Sequence, residues 1–165
     1  MVIIQPITTE NALIFKAARL RALQDTPSAF GSTYARESQF TDADWVARAN
    51  NWNGEKSILY MAMESEAVIG IAGSHLDHED PTQAHLISMW TAPTHREQGV
   101  GHLLVNEVVI WAHLRNAVTL KLMVTSSNNS AAAFYRRLGF ALTGRTEPYP
   151  NDPALIEYEM ARPIP

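Results

Sequence analysis

The sequence has no cysteine, few charged residues and no long apolar run. Without cysteine, the protein can form no disulfide, no thiolate metal site and no cysteine-linked intermediate. Charged residues make up 18% of the chain, and 13 basic against 17 acidic residues give a net charge of -4. The longest basic run is Arg136-Arg137, far shorter than the stripe that a nucleic-acid backbone requires, so we expect no nucleic-acid partner.

Hydrophobic residues make up 46% of the 165 residues but occur in short segments. No stretch approaches the ~20 apolar residues of a membrane span, and residues 1–20 do not show the layout of a signal peptide. We therefore expect a cytoplasmic protein with no membrane partner. A chain of this size typically builds one core, so we expect a single domain over residues 1–165.

Two kinds of hydrophobic periodicity alternate along the chain. Short β-branched or alternating apolar runs between turn residues predict strands, and apolar residues at helical spacing predict helices. Strands are predicted at residues 2–7, 58–63, 67–72, 84–91, 118–125, 140–146 and 155–161. Helices are predicted between Thr9 and Pro27, in two short pieces within 28–50, over about four turns after Gly99, and from Ala131 to Leu138.

Individual residues are expected to be buried in these helices or to end them. Thr41 or Asp42 is expected to cap the third helix, Gly139 to end the last one, and a proline-rich loop at 147–153 to join the last two strands. The faces expected to be buried consist of Leu13, Ala17, Leu20 and Gln24 in the first helix, Trp45 and Ala49 in the third, and Val100, Leu104, Val108 and Trp111 after Gly99.

The order of these elements predicts an α+β fold. Strands joined by short loops pair antiparallel, whereas the strand at 118–125 is reached from the strand at 84–91 through a helix and must pair parallel to it. We therefore expect a mixed sheet.

The segment Arg96-Glu97-Gln98-Gly99-Val100-Gly101 joins a predicted strand to a predicted helix. Its glycines let a ligand approach the backbone, and the first amides of a helix lack intrahelical partners and lie at the positive end of the helix dipole. A pyrophosphate fits such a turn, with Arg96 sharing its charge. The alternative is a tight turn in which the glycines only cap and pack. Neither a P-loop lysine nor the first glycine of a dinucleotide fingerprint is present.

A second motif, Asn128-x-x-Ala131-x-x-Phe134-Tyr135-x-x-x-Gly139-Phe140, follows Arg96-x-x-Gly99-x-Gly101 with a predicted strand between them. In this order the two resemble the cofactor-binding motifs of the GNAT superfamily of acetyl-coenzyme A dependent N-acetyltransferases, and the other elements are similar too. The resemblance implies a mixed, mostly antiparallel central sheet of about seven strands flanked by helices. Its two central parallel strands would splay apart to leave a slot for the cofactor thioester.

The resemblance also assigns roles to residues. The backbone of residues 89–91 would pair with the pantetheine arm as an added strand, and the amides of residues 97–102 would hold the pyrophosphate. Asn128 would bond to the pantetheine, and Tyr135 would be the general acid near the sulfur. The expected contacts of acetyl-coenzyme A are Met89, Trp90, Thr91, Arg96, Glu97, Gln98, Gly99, Val100, Gly101, His102, Asn128, Ala131 and Tyr135.

Both side chains of the second motif have an alternative interpretation. Asn128 can serve only as the N-cap of the helix that follows it, and Tyr135 can serve only as a core residue of that helix. A phenol of pKa ~10 does not fully protonate a thiolate of pKa ~8.5, so a hydrogen bond that strengthens in the transition state suits Tyr135 better than full proton transfer.

The general base is unassigned. Met123 stands where some relatives that acetylate protein N-termini have a glutamate. Separately, Glu97 stands where many relatives have glycine, and its carboxylate is expected to point to solvent, because it would weaken coenzyme A binding if it faced the pyrophosphate. One hypothesis is that the acceptor is a primary amine of modest pKa, which needs little help to lose its proton. Another is that water ordered by His75, Asp77 or His85 carries the proton, the alternative being surface or hydrogen-bonded roles for all three. His75-x-x-His78 does not indicate a metal site, since no cysteine accompanies it and amine acetylation needs no metal.

Three aromatic residues are candidates for the acceptor side. Phe30 and Tyr34 lie where relatives place their acceptor-binding helices, and the alternative is that they only pack those helices on the sheet. Tyr149, between two prolines, is expected in a stiff lid or a dimer contact. The substrate-contacting candidates are Phe30, Tyr34, His75, His85 and Tyr149.

By resemblance, we expect transfer of an acetyl group from acetyl-coenzyme A to a primary amine in a ternary complex, without a metal. The acceptor would be a small-molecule amine or a protein or peptide N-terminus, and the negative net charge mildly favours a cationic one. Two alternatives remain, a module that senses acyl-coenzyme A without turnover and a transferase of a longer acyl group. The oligomeric state is open, a homodimer included.

Overall fold

A computed structural model describes residues 1–165 as seven strands and five helices. The strands form one sheet in the order β1-β2-β3-β4-β5-β7-β6. The elements are β1 (Val2–Pro6), α1 (Ala12–Asp25), α2 (Tyr34–Glu37), α3 (Asp42–Asn51), β2 (Ser57–Glu64), β3 (Ala67–Leu76), β4 (Gln83–Thr91), α4 (Val100–Leu114), β5 (Thr119–Thr125), α5 (Asn129–Arg137), β6 (Ala141–Tyr149) and β7 (Asp152–Pro163).

The central pair β4 and β5 is the one parallel pair in the sheet. These strands pair only where Gln83, Ala84 and His85 face Thr119, Leu120 and Lys121. Beyond this register they diverge, and β5 continues to pair with β7 along its other edge. The expected α+β fold with splayed parallel strands is confirmed, and the divergence opens a slot in the middle of the sheet.

The sheet is packed on both faces. On one face α4 buries Val100, Leu104, Val108 and Trp111, as its apolar spacing predicts. On the other face α1 and α3 pack around Phe15 and Trp45, whose rings meet edge to face at 6.1 Å. None of the helices is both long enough and apolar enough to span a membrane.

The start of α3 confirms the expected cap. Thr41 Oγ1 accepts a hydrogen bond from the Asp44 amide at 3.1 Å, and the Asp44 carboxylate accepts one from the Thr41 amide at 2.8 Å. This reciprocal capping box satisfies two backbone donors and fixes the position of α3. Gly139 follows α5 with a φ of +91°, the left-handed conformation expected at a helix end.

The expected buried face of α1 is wrong. Leu13 is 47% exposed, and the residues that are buried are Ala12, Phe15, Ala18, Arg19, Ala22 and Leu23. The prediction failed because the buried face of α1 contains a charged residue, Arg19, which interrupts the apolar spacing from which the face was predicted. Arg19 is buried there because Glu37 lies against it and compensates its charge.

The expected proline-rich loop at 147–153 is also wrong. β6 continues to Tyr149 and β7 begins at Asp152, so the connection is a short turn at Pro150 and Asn151. Pro148 is tolerated because β6 lies at the edge of the sheet, where a missing amide donor costs little. The segment is therefore a hairpin and not a lid.

Candidate active site

A cavity of about 1040 Å³ occupies the slot between β4 and β5. Its walls come from the diverging strands, the first turn of α4, α5, the turn of β6 and β7, Glu157 on β7, and the segment at residues 26–32 that follows α1. Arg19 of α1 and Arg48 of α3 complete the wall. Most residues expected to contact a cofactor line it, as do Phe30 and His85. The candidate residues outside its wall are Gln98, Tyr34, His75, Asp77 and Tyr149.

The turn before α4 presents a run of free backbone donors to this cavity. None of the amides of residues 97–102 donates a hydrogen bond to any protein group. Gly99 has a φ of +86°, which allows the chain to turn into the helix. A Cβ on Gly101 would lie 2.9 Å from Phe134 Cζ and 3.1 Å from Met89 Cε, so any larger residue would displace the ends of these two side chains. The helix dipole adds positive potential, and the turn is built to bind an anion.

Arg96 is engaged within the protein. Its guanidinium donates to the carboxylate of Asp25, to Thr26 Oγ1 at 3.3 Å and to the carbonyl of Thr91 at 3.1 Å. Although burial opposes it, hydrogen bonds from Trp90, Thr26 and Arg96 lower the pKa of Asp25, which keeps this carboxylate charged. Arg96 therefore ties the turn to α1, an anchoring role that the sequence pattern does not reveal.

The free edge of β4 faces the cavity. A β-bulge places both Ser88 and Met89 between the partners of Gly73 and Ile71 on β3, and Ser88 has a φ of +58°. Since β5 has already diverged, the backbone of residues 89–91 has no strand partner on the cavity side. An extended ligand with amide groups can add to this edge.

Tyr135 on α5 is both a core residue and part of the cavity wall. It is 8% exposed, and its ring packs edge to face against Phe134 at 5.3 Å and Phe140 at 5.6 Å. Its hydroxyl makes no hydrogen bond within the protein, and burial raises its pKa above the ordinary value. At neutral pH the phenol is uncharged and can donate one hydrogen bond into the cavity.

Asn128 caps α5, since its Oδ1 accepts a hydrogen bond from the amide of Ala131 at 3.2 Å. Its side-chain NH₂ group has no partner within the protein, and the residue lines the cavity. The cap thus leaves donors available for a ligand, and the two interpretations of Asn128 are compatible.

Glu157 on β7 is a candidate that the sequence reasoning missed. In the sheet it lies opposite Thr125 on β5 and Glu147 on β6. Glu157 lines the cavity, and Glu97 is the only other acidic residue in the cavity wall. Burial and the neighbouring Glu147 raise the pKa of Glu157. A signal was present, because Glu157 and Glu159 alternate with apolar residues and therefore share one face of β7.

The histidine candidates form a cluster at the end of β4 away from the glycine turn. The rings of His75 and His85 stack at 4.9 Å, and His85 Nε2 lies 2.8 Å from Asp77 Oδ2. Burial lowers the pKa of His75, and the hydrogen bond with His85 lowers that of Asp77. Of the three, only His85 reaches the cavity wall.

The aromatic candidates on the acceptor side have different positions. Phe30 is buried and lines the cavity. The guanidinium carbon of Arg19 lies over its ring, 4.7 Å from the ring centre. Tyr34 projects to solvent. Tyr149 is buried and donates to the carbonyls of Phe30 at 2.7 Å and Pro27 at 3.1 Å, so it holds the cavity wall in place from behind.

Known proteins with related sequences include acetyltransferases. The model of the acetyltransferase (GNAT) family matches residues 20–140. The peptidyl-lysine N-acetyltransferase YjaB of Salmonella typhimurium is 30% identical over 121 residues, covering 66% of this chain and 79% of that protein. The protein ML0378 of Mycobacterium leprae is 30% identical over 157 residues, which cover 88% of this chain but only 40% of the length of ML0378.

Solved structures agree in fold. A GNAT-family acetyltransferase from Streptococcus pneumoniae aligns over 100% of both chains with a TM-score of 0.83 and 19% identity. The PaiA N-acetyltransferase of Thermoplasma acidophilum, solved in complex with coenzyme A, aligns over 99% of both chains with a TM-score of 0.77 and 14% identity. Because the family model matches most of the chain and the sheet has the slot between its parallel strands, the chain belongs to the GNAT family of acetyltransferases.

Proposed function

We propose that this protein transfers an acetyl group from acetyl-coenzyme A to a primary amine in a ternary complex. The observation that supports this most directly is the run of unpaired amides at residues 97–102, which faces a cavity between two diverging strands. These donors suit the pyrophosphate of coenzyme A, and His102 and Arg137 on the same wall add polar contacts to the nucleotide end. The open edge at residues 89–91 suits the amides of the pantetheine arm.

The reaction is a direct displacement at the thioester carbonyl. The amine nitrogen attacks the carbonyl carbon, the C–N bond forms, and collapse of the tetrahedral intermediate breaks the C–S bond and releases the thiolate of coenzyme A. The uncharged phenol of Tyr135 donates a hydrogen bond to the sulfur as negative charge develops on it. Much of the acceleration comes from holding amine and thioester together in one cavity.

We assign proton removal from the amine to Glu157. The reacting amine must lose a proton, and Glu157 is the carboxylate that the acceptor side of the cavity offers. Its raised pKa makes it a better proton acceptor than an ordinary surface glutamate. Met123, on the neighbouring strand β5, cannot take a proton, so we place the base on β7 and not on β5.

Thiol release from acetyl-coenzyme A in the presence of a panel of amines tests the proposed function. We expect amine-dependent release by the wild-type protein and a loss of about tenfold or more in kcat for Tyr135→Phe. Tyr60→Phe is the matched control, because Tyr60 lies on β2 outside the cavity. If the protein binds acetyl-coenzyme A but no amine gives thiol release above background, the proposed transferase activity is wrong. The alternative of a module that senses acyl-coenzyme A would then hold.

A further inference from the structure

A buried charge cluster joins α1, α2 and α3 beside the acceptor side of the cavity. Arg19 holds the carboxylate of Glu37 with two hydrogen bonds of 3.0 Å, and Arg48 donates to the same carboxylate at 2.9 Å. The third nitrogen of Arg19 donates to Ser88 Oγ at 2.9 Å. The side chains of Arg19 and Glu37 are 5% and 2% exposed. Arg19 therefore has all three nitrogens engaged within the protein.

Arg48 has donors to spare. Only one of its nitrogens is hydrogen-bonded within the protein, and its side chain is 24% exposed. Two guanidinium groups share the single carboxylate of Glu37, which leaves one positive charge without a partner in this cluster. Burial and repulsion by Arg19 lower the pKa of Arg48 despite the opposing attraction of Glu37, and Arg36 adds to the repulsion. An added anion would relieve this repulsion between the guanidinium groups.

The orientation of Arg48 is fixed. Its guanidinium lies over the ring of Trp45, 5.2 Å from the ring centre, and Trp45 is buried between α1 and α3. The capping box at Thr41 and Asp44 fixes the start of the same helix. Arg48 lines the main cavity and also a shallower pocket of about 520 Å³ that opens beside it. It is thus a preorganised cation at the boundary of the acceptor site.

We propose that Arg48 binds a carboxylate of the acceptor, so that the substrate class is amines that also carry a carboxylate group. This inference rests on the proposed function. A carboxylate fits better than a phosphate, because the charged residues of the smaller pocket leave a net charge of +1, with Arg19, Arg36 and Arg48 against Glu37 and Asp44. One carboxylate balances this charge, whereas a phosphate group carries close to two negative charges at neutral pH.

The two charged groups on the acceptor side have opposite signs. Glu157 on β7 receives the amine, and Arg48 on α3 receives the carboxylate, so an acceptor with both groups enters in one orientation. The negative net charge of the whole chain favours cationic acceptors, but the local charge at Arg48 points to a zwitterion. The local groups decide specificity, since the binding partners of a substrate lie within a few ångströms of it.

Matched acceptor pairs test this inference. The acceptors are amino acids in which the distance between the amine and the carboxylate increases from one compound to the next. Each is compared with the derivative whose carboxylate is converted to an amide, which keeps the amine but removes the negative charge. We expect the wild-type protein to prefer the acid of at least one pair by about tenfold or more in kcat/KM. Arg48→Gln should abolish that preference by lowering kcat/KM on the acid much more than on the amide. Arg48→Lys should retain only part of it, since lysine keeps the charge but loses the planar fork.

The control variant is Arg21→Gln, which removes an exposed arginine of α1 that does not line the cavity and should leave the preference intact. Calorimetry with coenzyme A checks that Arg48→Gln binds the donor as the wild type does. Acetylation of amides and acids at equal rates by the wild type, or an equal loss on both in Arg48→Gln, would overturn this inference and leave the proposed acetyltransferase function standing. A loss of coenzyme A affinity in Arg48→Gln would also overturn it, because Arg48 would then serve the donor.

Discussion

Replacing Glu157 by glutamine removes the carboxylate but keeps the size of the side chain, so the variant measures how far the reaction depends on proton removal. An α-amino group of pKa ~8 is about one-tenth uncharged at pH 7, whereas a lysine-like amine of pKa ~10.4 is uncharged in only about one molecule in 2500. An enzyme without a base must select the uncharged fraction. We therefore expect kcat/KM to fall about tenfold for an α-amine and up to roughly 10³-fold for a lysine-like amine.

Glu147 provides an independent perturbation of the same group. The base is active when deprotonated, and burial and Glu147 raise the pKa of Glu157, so the acid limb of the pH profile lies above the usual range of a glutamate. Glu147→Gln removes a neighbouring negative charge and should move the acid limb to lower pH. Arg145→Gln should move it slightly to higher pH, because the Arg145 guanidinium lies 3.6 Å from Glu147 and 3.7 Å from Glu159 and is a positive charge close to these carboxylates.

The assay is kcat/KM as a function of pH for the wild type and these variants, with one α-amine and one lysine-like amine. His85 and Tyr135 also face the cavity, so their variants are measured in parallel to assign each limb. Equal losses on both amines in Glu157→Gln, or an acid limb that stays in place in Glu147→Gln, would refute the assignment of Glu157 as the base.

Two further variants test the stability of the acceptor side and the shape of the glycine turn. Despite burial, Arg19 and Arg48 lower the pKa of Glu37 to about 2, so its stabilising contribution is complete above the unfolded value of 4.5 and is lost as the pH falls towards 2. Glu37→Gln should lower the free energy of unfolding in urea by about 3–5 kcal/mol at pH 7, and the difference from the wild type should shrink between these two values. Gly101→Ala should weaken coenzyme A binding about tenfold in calorimetry, because the added methyl group displaces Phe134 from the cavity wall at a cost of ~1–3 kcal/mol. Unchanged affinity would contradict the close fit at this position.

Short sequence motifs were sufficient to predict the part of the site expected to bind coenzyme A. The glycine turn before α4 is a short stretch of chain, so its residues alone predict an unpaired helix start. The position of Tyr135 beside the cofactor site came from the resemblance of the Asn128 to Phe140 motif to the GNAT family, since helical spacing alone equally predicts a core residue. The alternation in β5 and the helical spacing in α4 are local in the same way. Strand pairing followed too, since a helical crossover requires a parallel pair.

Only the tertiary structure decided the acceptor side. Glu157, Arg48 and His85 come from β7, α3 and β4, and their meeting at one cavity depends on the order of strands in the sheet and the packing of α3 on α1. The buried face of α1 was mispredicted for the same reason. Burial of Arg19 is favourable only because Glu37, on another helix, supplies the opposite charge. Apolar periodicity reports which residues avoid water, but the pairing of distant charges depends on contacts that form only when the chain is folded.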